Sequence, residues 1–217
     1  LATVANHLIA AKAKLTVVVP APVPPPIVDW KPSTCSTAVA AAVRTTQQRY
    51  GLPRWFLFAV ASRESSFNSS AVNPNDGGKG LVQLTSTVNN GQPYPYNLTV
   101  PNNSFQSWIY DKGLNRFGPW IDMAKVTNMS DPFNPTQNLA RYCTVYAVPW
   151  YLYCKAQHPT ETPDQLLDRV AFHWFHGVFH TYDINETSYT LQFRSYVSQY
   201  KPSVVAQDGA WNGAVTL

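Results

Sequence analysis

A breaker-free apolar segment behind Pro53 is the feature that most restricts how this chain folds. Residues 55–66 contain no glycine or proline and few polar groups, and Pro53 suits a first helical turn, where its missing N–H is not needed. At 3.6 residues per turn, four apolar residues share a face with Glu64. They are Leu57, Val60, Ala61 and Phe67. The pattern predicts a helix that places a carboxylic acid at the edge of a hydrophobic core.

Glu64 has two interpretations at this position. In the first, it ends a helix on the surface, as most glutamates do. In the second, desolvation by the apolar face raises its pKa, which suits a residue that protonates a glycosidic oxygen. The turn Gly80-Leu81-Val82-Gln83 begins sixteen residues downstream, and this pairing favours the second interpretation.

The composition restricts the functional classes. Only 13% of the 217 residues are charged, and the net charge of +4 is not gathered into runs, so nucleic-acid binding has little support. Attraction to an anionic polymer such as a bacterial wall is compatible with this charge. No stretch of 18 apolar residues exists, so we expect no membrane span. The length suits one domain with appendages, and we expect a monomer.

Processing and glycosylation signals favour a secreted protein. The chain starts at Leu1 without a methionine, which suggests a processed or trimmed N-terminus. Five Asn-x-Ser/Thr acceptors exceed the roughly two expected from the composition, and such sites are typical of a secreted eukaryotic glycoprotein, for example a fungal one. They begin at Asn68, Asn97, Asn102, Asn128 and Asn185.

The three cysteines predict one disulfide and one free thiol. Cys143 and Cys154 are eleven residues apart, or about 16 Å along an unbroken helix, which is too far for a disulfide. Pro149 lies between them and is expected to break that helix, so a hairpin can bring them together. Pairing of Cys35 with either remains equally open.

We expect neither a metal nor a cofactor. No Cys/His pattern of recognised metal-binding spacing includes the cysteines. His173, His176 and His180 recur at offsets of three and four on one helical face, but aromatic residues interrupt this pattern. A position of His176 in the lining of a cleft is the preferred interpretation.

We expect a mainly α chain in three parts. They are an arm with a Pro-rich segment (1–32), a helical catalytic domain (33–202) with a long loop insertion at about 86–130, and an irregular tail (203–217). Helices are predicted at about 36–49, around Glu64, from Asn134-Pro135, from Thr162-Pro163-Asp164-Gln165 towards Gly177, and at 189–200.

The long loop insertion is rich in aromatic residues, among them Trp108 and Tyr110. These rings can stack on sugar rings, and both residues are candidate substrate contacts. The alternative is that they pin the loop to the body of the domain, because a large loop needs internal packing.

Four segments together resemble the goose-type lysozymes and soluble lytic transglycosylases. They are Ser62-Arg63-Glu64-Ser65 with Phe67-Asn68, Gly80-Leu81-Val82-Gln83, Asp131-Pro132-Phe133-Asn134-Pro135 with Asn138-Leu139, and Ala171 to Gly177. The resemblance spans about residues 36–200 and is dense only in these short pieces. It implies a lysozyme-like helical domain that cleaves a β-1,4-linked polysaccharide with Glu64 as general acid.

The resemblance also implies substrate contacts. Ser65 follows the acid, and Gln83 is expected to hydrogen-bond the sugar, although it can instead only cap its turn. Phe175 and His176 occupy the place of the family's Tyr-Asn pair, so a phenol is lost and an amide is replaced. The substrate side therefore departs from the family more than the acid does.

The reaction after protonation depends on a second carboxylate. Inverting hydrolysis needs a base roughly 6.5–9.5 Å from the acid. Asp76 is the candidate, since it occupies the loop where goose-type lysozymes carry an auxiliary aspartate, although Asp before Gly-Gly is also common in turns. Thr85 stands where the second goose-type aspartate would be. Without a base, the family's lytic transglycosylases let the 6-hydroxyl of the sugar attack and form an anhydro product.

Three functional hypotheses follow. The leading one is a secreted, muramidase-like glycosidase or lytic transglycosylase acting on peptidoglycan. The second is the same acid acting on chitin, chitosan, mannan or glucan. The third is a carbohydrate-binding protein without activity.

Overall fold

The computed structural model describes residues 29–75, 77–84, 87–88, 92–93, 131–176, 182–183 and 188–216. Helices make up most of this part of the chain. They are α1 (Thr37–Tyr50), α2 (Arg54–Ser65), α3 (Pro135–Tyr142), α4 (Val148–Gln157), α5 (Pro163–His176) and α6 (Tyr189–Asp208). A π-helical segment (Cys143–Ala147) joins α3 to α4, and the short strands β1 (Thr87–Val88) and β2 (Gln92–Pro93) pair antiparallel. The mainly α prediction is confirmed.

Parts of the predicted organisation lie outside the described residues. These are nearly all of the N-terminal arm, including its Pro-rich segment, and most of the long loop. The division into arm, domain and tail stays a prediction. Across the described ranges, no helix has the length and apolarity that crossing a membrane requires.

Local capping signals start the helices where the sequence predicts. The Ser36 side chain accepts a hydrogen bond from the amide of Val39 at 3.2 Å and caps α1. Asn134 caps α3 by accepting from two backbone amides, with a proline directly behind it. Before α5, the amide of Thr162 donates to Gln165 at 2.8 Å and the amide of Gln165 donates back at 3.3 Å. This reciprocal pair is the predicted capping box.

Helix α2 forms the centre of the core. Every residue from Arg54 to Ser62 is buried, and α6 is its main neighbour. Aromatic edges hold the two helices together, with Phe56 at 5.9 Å from Phe193 and Phe58 at 6.4 Å from Tyr200, measured between ring centroids. Because each fully buried aromatic or aliphatic side chain contributes about 1.5–3 kcal/mol, this seam fixes the position of α2.

Helix α6 runs through Pro202 to Asp208, so the irregular tail predicted after Pro202 is wrong over this stretch. Its last turn is held by Arg54, which is fully buried and donates to both carboxylate oxygens of Asp208 at 2.7 and 2.8 Å. Tertiary contacts therefore outweigh the local cost of the proline. Beyond the helix, Trp211 donates to the carbonyl of Gly51 at 2.8 Å, which ties the following residues to the turn between α1 and α2.

The three cysteines are free and buried, so the predicted disulfide is wrong. The chain passes from α3 to α4 without a break, because the amide of Val148 bonds the carbonyl of Cys143 in a π turn just before Pro149. A π turn of this kind accommodates the proline within a continuous helical path. No hairpin forms, and Cys143 and Cys154 stay about three turns apart along one continuous helical path.

Candidate functional site

Glu64 lies in the last turn of α2 at the boundary of the core. Its side chain is half-buried, whereas Leu57, Val60 and Ala61 on the same face are fully buried. Phe67 also enters the core, but by a different route from the predicted one. The helix ends at Ser65, and Ser66 and Phe67 both adopt left-handed backbone angles, with φ of 51° and 66°. The predicted boundary position of the acid is confirmed.

Tyr189 is a hydrogen-bond partner of the acid. Its phenolic hydroxyl donates a hydrogen bond to Oε1 of Glu64 from the first residue of α6. Only 1% of Tyr189 is exposed, and burial, followed by the charge of Glu64, raises its pKa well above the usual value. The phenol therefore stays protonated and remains a donor at neutral pH. The sequence predicts a helix start at Tyr189 but contains no signal that links this residue to Glu64.

Phe175 and Arg63 surround the same tyrosine. The Phe175 ring stacks on the Tyr189 ring at 4.4 Å with an interplanar angle of 10°, and 53% of Phe175 remains exposed. The Arg63 guanidinium lies 4.5 Å from the centroid of Tyr189 and 5.8 Å from that of Phe175. The predicted substrate contact Phe175 is thus brought next to the acid through Tyr189.

The Gly80-Leu81-Val82-Gln83 turn is fixed by Asn138, which is fully buried in α3. Its side-chain oxygen accepts from the amide of Val82 at 3.0 Å, and its nitrogen donates to the carbonyls of Lys79 at 3.1 Å and Pro132 at 2.9 Å. The turn and the Asp131–Pro135 segment, which are far apart in sequence, therefore form one structural unit.

Gly80 is required at the start of this turn. Its φ is +76°, and a Cβ atom there would come within 2.3 Å of the Pro132 carbonyl oxygen and 2.4 Å of the Asn138 side chain. Any larger residue would be strained in its backbone and would collide with this unit.

Gln83 and Ser65 both make internal hydrogen bonds. The Gln83 side-chain amide donates to the carbonyl of Gly80 at 2.8 Å, which caps the turn as the alternative interpretation predicts. The Ser65 hydroxyl donates to the carbonyl of Ala61 at 3.1 Å, one turn back along α2. Contacts of either side chain with a substrate stay predictions.

Three candidate residues, Asp76, Trp108 and Tyr110, lie outside the described residues. The flanks of Asp76 form a closed turn, in which Asn73 donates to the carbonyl of Gly78 at 2.8 Å and accepts from the amide of Gly77 at 2.9 Å. The catalytic role of Asp76 stays a prediction, as do the sugar contacts of the two aromatic residues.

The histidine pattern is only partly described. His173 is buried and packs edge-on against Trp150 at 4.9 Å. His176 is the last residue of α5, and only its backbone position is described; His180 lies outside the described residues. Within the described ranges, no group of three His, Cys, Asp or Glu side chains is arranged to hold a metal ion.

The comparison with known proteins covers the part of the chain that contains the acid. A family model for the transglycosylase SLT domain matches residues 41–107, which include all of α2 and the Gly80–Gln83 turn. No curated protein and no solved structure matches the chain. At the level of the family, the match supports lytic transglycosylase-type activity on peptidoglycan. The resemblance inferred from the motifs is confirmed, and over residues 41–107 the chain is soluble lytic transglycosylase-like.

Proposed function

We propose that this protein cleaves β-1,4 glycosidic bonds of peptidoglycan, with Glu64 as the general acid. The observation that carries the proposal is the hydrogen bond from buried Tyr189 to Glu64, an acid that lies within the segment matching the transglycosylase domain. A half-buried acid held by a neutral donor has a fixed orientation, and positioning of this kind is what proton transfer in a transition state requires.

In the proposed reaction, the carboxylic acid of Glu64 gives its proton to the leaving glycosidic oxygen as the C1–O bond breaks. Glu64 then carries a negative charge, and the Tyr189 hydroxyl stabilises it because hydrogen bonds to ionised acceptors are stronger than neutral ones. The 6-hydroxyl of the sugar attacks C1 and forms an anhydro ring, and the hydroxyl proton returns to Glu64. A water activated by Asp76 would instead give a reducing end.

Mass spectrometry of the products tests this proposal. Wild type and Glu64→Gln are incubated with peptidoglycan, and the fragments are weighed for anhydro or reducing ends. We expect anhydro ends from wild type and a loss of at least about 100-fold in rate for the variant. Glu161→Gln is the matched control, since Glu161 pairs with Arg169 in another part of the domain. An active Glu64→Gln protein would overturn the assignment of the acid.

Other β-linked polymers form the second candidate substrate class. The exposed Phe175 ring beside Tyr189 favours this class, because it stands where the family has a tyrosine. Parallel assays with chitin, chitosan, mannan and glucan therefore accompany the peptidoglycan assay. If the protein cleaves one of these polymers and not peptidoglycan, that polymer is the substrate. Binding without cleavage of any polymer would indicate a carbohydrate-binding protein.

We also propose that the protein is secreted, N-glycosylated and monomeric. Asn68, the one acceptor asparagine in the described ranges, is exposed directly behind the acid helix, where a glycosyltransferase can reach it. A mobility shift after glycosidase treatment of protein from a eukaryotic host tests glycosylation. Light scattering of the deglycosylated protein tests the oligomeric state.

A further inference from the structure

Arg63 differs in its charge partners from four other buried or half-buried arginines. Four arginines pair with carboxylates at 4.0 Å or less, namely Arg44, Arg54, Arg169 and Arg194. Arg63 has no such partner among the described residues, and its described side-chain contacts are with the rings of Tyr189 and Phe175. Two aromatic rings, and no carboxylate among the described residues, therefore face this positive charge, which lies directly beside the acid in sequence.

The Arg63 guanidinium also has an unused donor. Its Nε atom is buried and has no hydrogen-bond acceptor within the described ranges. A buried donor on a charged group without an acceptor is costly, and contacts with aromatic rings offset only part of that cost. An anion from outside the described protein that contacts the half-buried guanidinium would lower this cost by balancing its charge.

The position of Arg63 places this charge in the proposed substrate site. Tyr189 contacts the Arg63 guanidinium with its ring and Glu64 with its hydroxyl. The exposed ring of Phe175 lies against both Tyr189 and Arg63. A cation and an exposed aromatic ring thus sit together one side chain away from the acid, and this combination suits a sugar ring that carries an acidic group.

We propose that Arg63 binds a carboxylate of the polysaccharide substrate, with Phe175 packing against the neighbouring sugar. The inference rests on the proposed function and adds a preference for acidic over neutral polymers. A guanidinium matches a carboxylate with two parallel hydrogen bonds, which distinguishes it from an ammonium group. The carboxylate is attached either to the sugar itself or to a peptide branch of the polymer.

Binding experiments separate this inference from the question of turnover. The Glu64→Gln protein and the double variant Glu64→Gln/Arg63→Met are titrated with soluble peptidoglycan fragments and with neutral chitin oligomers. Loss of the charge-assisted hydrogen bonds should weaken binding of the acidic fragments by about 10- to 100-fold. Binding of chitin oligomers should change by less than about 3-fold, because methionine keeps most of the apolar stem of arginine.

Chemical modification of the substrate gives the reciprocal test. Fragments whose carboxyl groups have been converted to amides should bind Glu64→Gln as weakly as the double variant binds untreated fragments. Arg63→Lys in the same background should restore only part of the affinity, since lysine keeps the charge without the planar fork. Binding of peptide-free glycan strands locates the carboxylate. If the affinity for these strands still depends on Arg63, the carboxylate is on the sugar; if it does not, the carboxylate is on the peptide.

Two results would overturn the inference. If Arg63→Met lowers the affinity for acidic and neutral ligands equally, Arg63 has a packing role only. If the affinity for both ligands is unchanged, Arg63 is not part of the binding site. Failure of the proposed function is recognised separately, because wild type would then lack turnover on every polymer while the binding measurements still test Arg63. Melting temperatures of all variants confirm that the compared proteins are folded.

Discussion

The hydroxyl of Tyr189 donates to Oε1 of Glu64 across 125 positions of sequence. The two residues stand at opposite ends of their helices, since Tyr189 opens α6 and Glu64 lies in the last turn of α2. Because α2 and α6 pack along a shared aromatic seam, the hydrogen bond follows from the packing of the helices and not from any local motif. The acid is thereby oriented by the core itself.

Tyr189→Phe should lower kcat by about 10- to 100-fold while the protein stays folded. A hydrogen bond to a charged group is worth roughly 1.5–3 kcal/mol, and phenylalanine retains the ring that stacks on Phe175. Steady-state kinetics on the polymer that wild type cleaves provide the measurement. Tyr200→Phe is the control, because its hydroxyl bonds Ser62 at 3.1 Å and not the acid. Equal losses in the two variants would contradict a specific role for Tyr189.

Asn138→Ala should lower the free energy of unfolding by about 2–4 kcal/mol, because three hydrogen bonds of a fully buried amide are lost. Activity should fall as well, since the turn that follows Glu64 loses its anchor. Urea unfolding measures the change in the free energy of unfolding. Gln48→Ala removes an exposed amide from α1 and should change stability by less than about 0.5 kcal/mol. A small effect of Asn138→Ala would mean that the turn holds its shape alone.

Local signals made several elements of this fold predictable. Helix α2 follows from an apolar run without breakers, and α1, α3 and α5 begin at caps formed by residues three positions apart or fewer. The boundary position of Glu64 follows from the same helical period. Each of these features depends on neighbours in sequence, so a single chain contains the necessary information.

The features that were missed depend on distant contacts. Pro149 and Pro202 both predict helix ends, yet the helical path continues through each of them. A π turn precedes Pro149, and the hydrogen bonds from Arg54 to Asp208 stabilise the turn that follows Pro202. The pairing of Tyr189 with Glu64 likewise requires the packing of α2 against α6. Helix propensity and residue spacing indicate where a helix starts and what a proline costs within it. They do not reveal the tertiary contacts that outweigh the cost of the proline.

All three thiols should resist alkylation in the native protein at pH 8. Burial raises the pKa of Cys35 to about 11 and that of Cys154 to about 12, and it also raises the pKa of Cys143. At pH 8 hardly any reactive thiolate therefore forms. Mass spectrometry after iodoacetamide treatment should find no label in buffer and three labels in urea without reductant. A single label in urea would instead reveal a disulfide between two of the cysteines.

The ion pair between Asp208 and the fully buried Arg54 should make stability depend on pH. Burial opposes ionisation of Asp208, but hydrogen bonds and the charges of Arg54 and Arg44 outweigh it and hold its pKa below the usual 3.8. A carboxylate with a lowered folded-state pKa contributes stability above the unfolded-state pKa and loses it as the pH falls through the folded-state pKa. The ion pair should therefore stabilise the protein fully at pH 5–8 and progressively less below about pH 4.

Asp208→Asn isolates this contribution. At pH 7 the variant should be about 1.5–3 kcal/mol less stable than wild type, because fully buried Arg54 loses its nearest carboxylate and keeps only Asp29, at 3.8 Å. Asp164→Asn breaks a half-exposed pair with Lys201 and should cost less than about 1 kcal/mol at any pH. Urea unfolding from pH 7 to pH 3 should show wild type and Asp208→Asn converging in acid, since protonated Asp208 no longer differs in charge from asparagine. A gap that persists unchanged at pH 3 would show that the substitution acts through packing at the end of α6 and not through the ion pair.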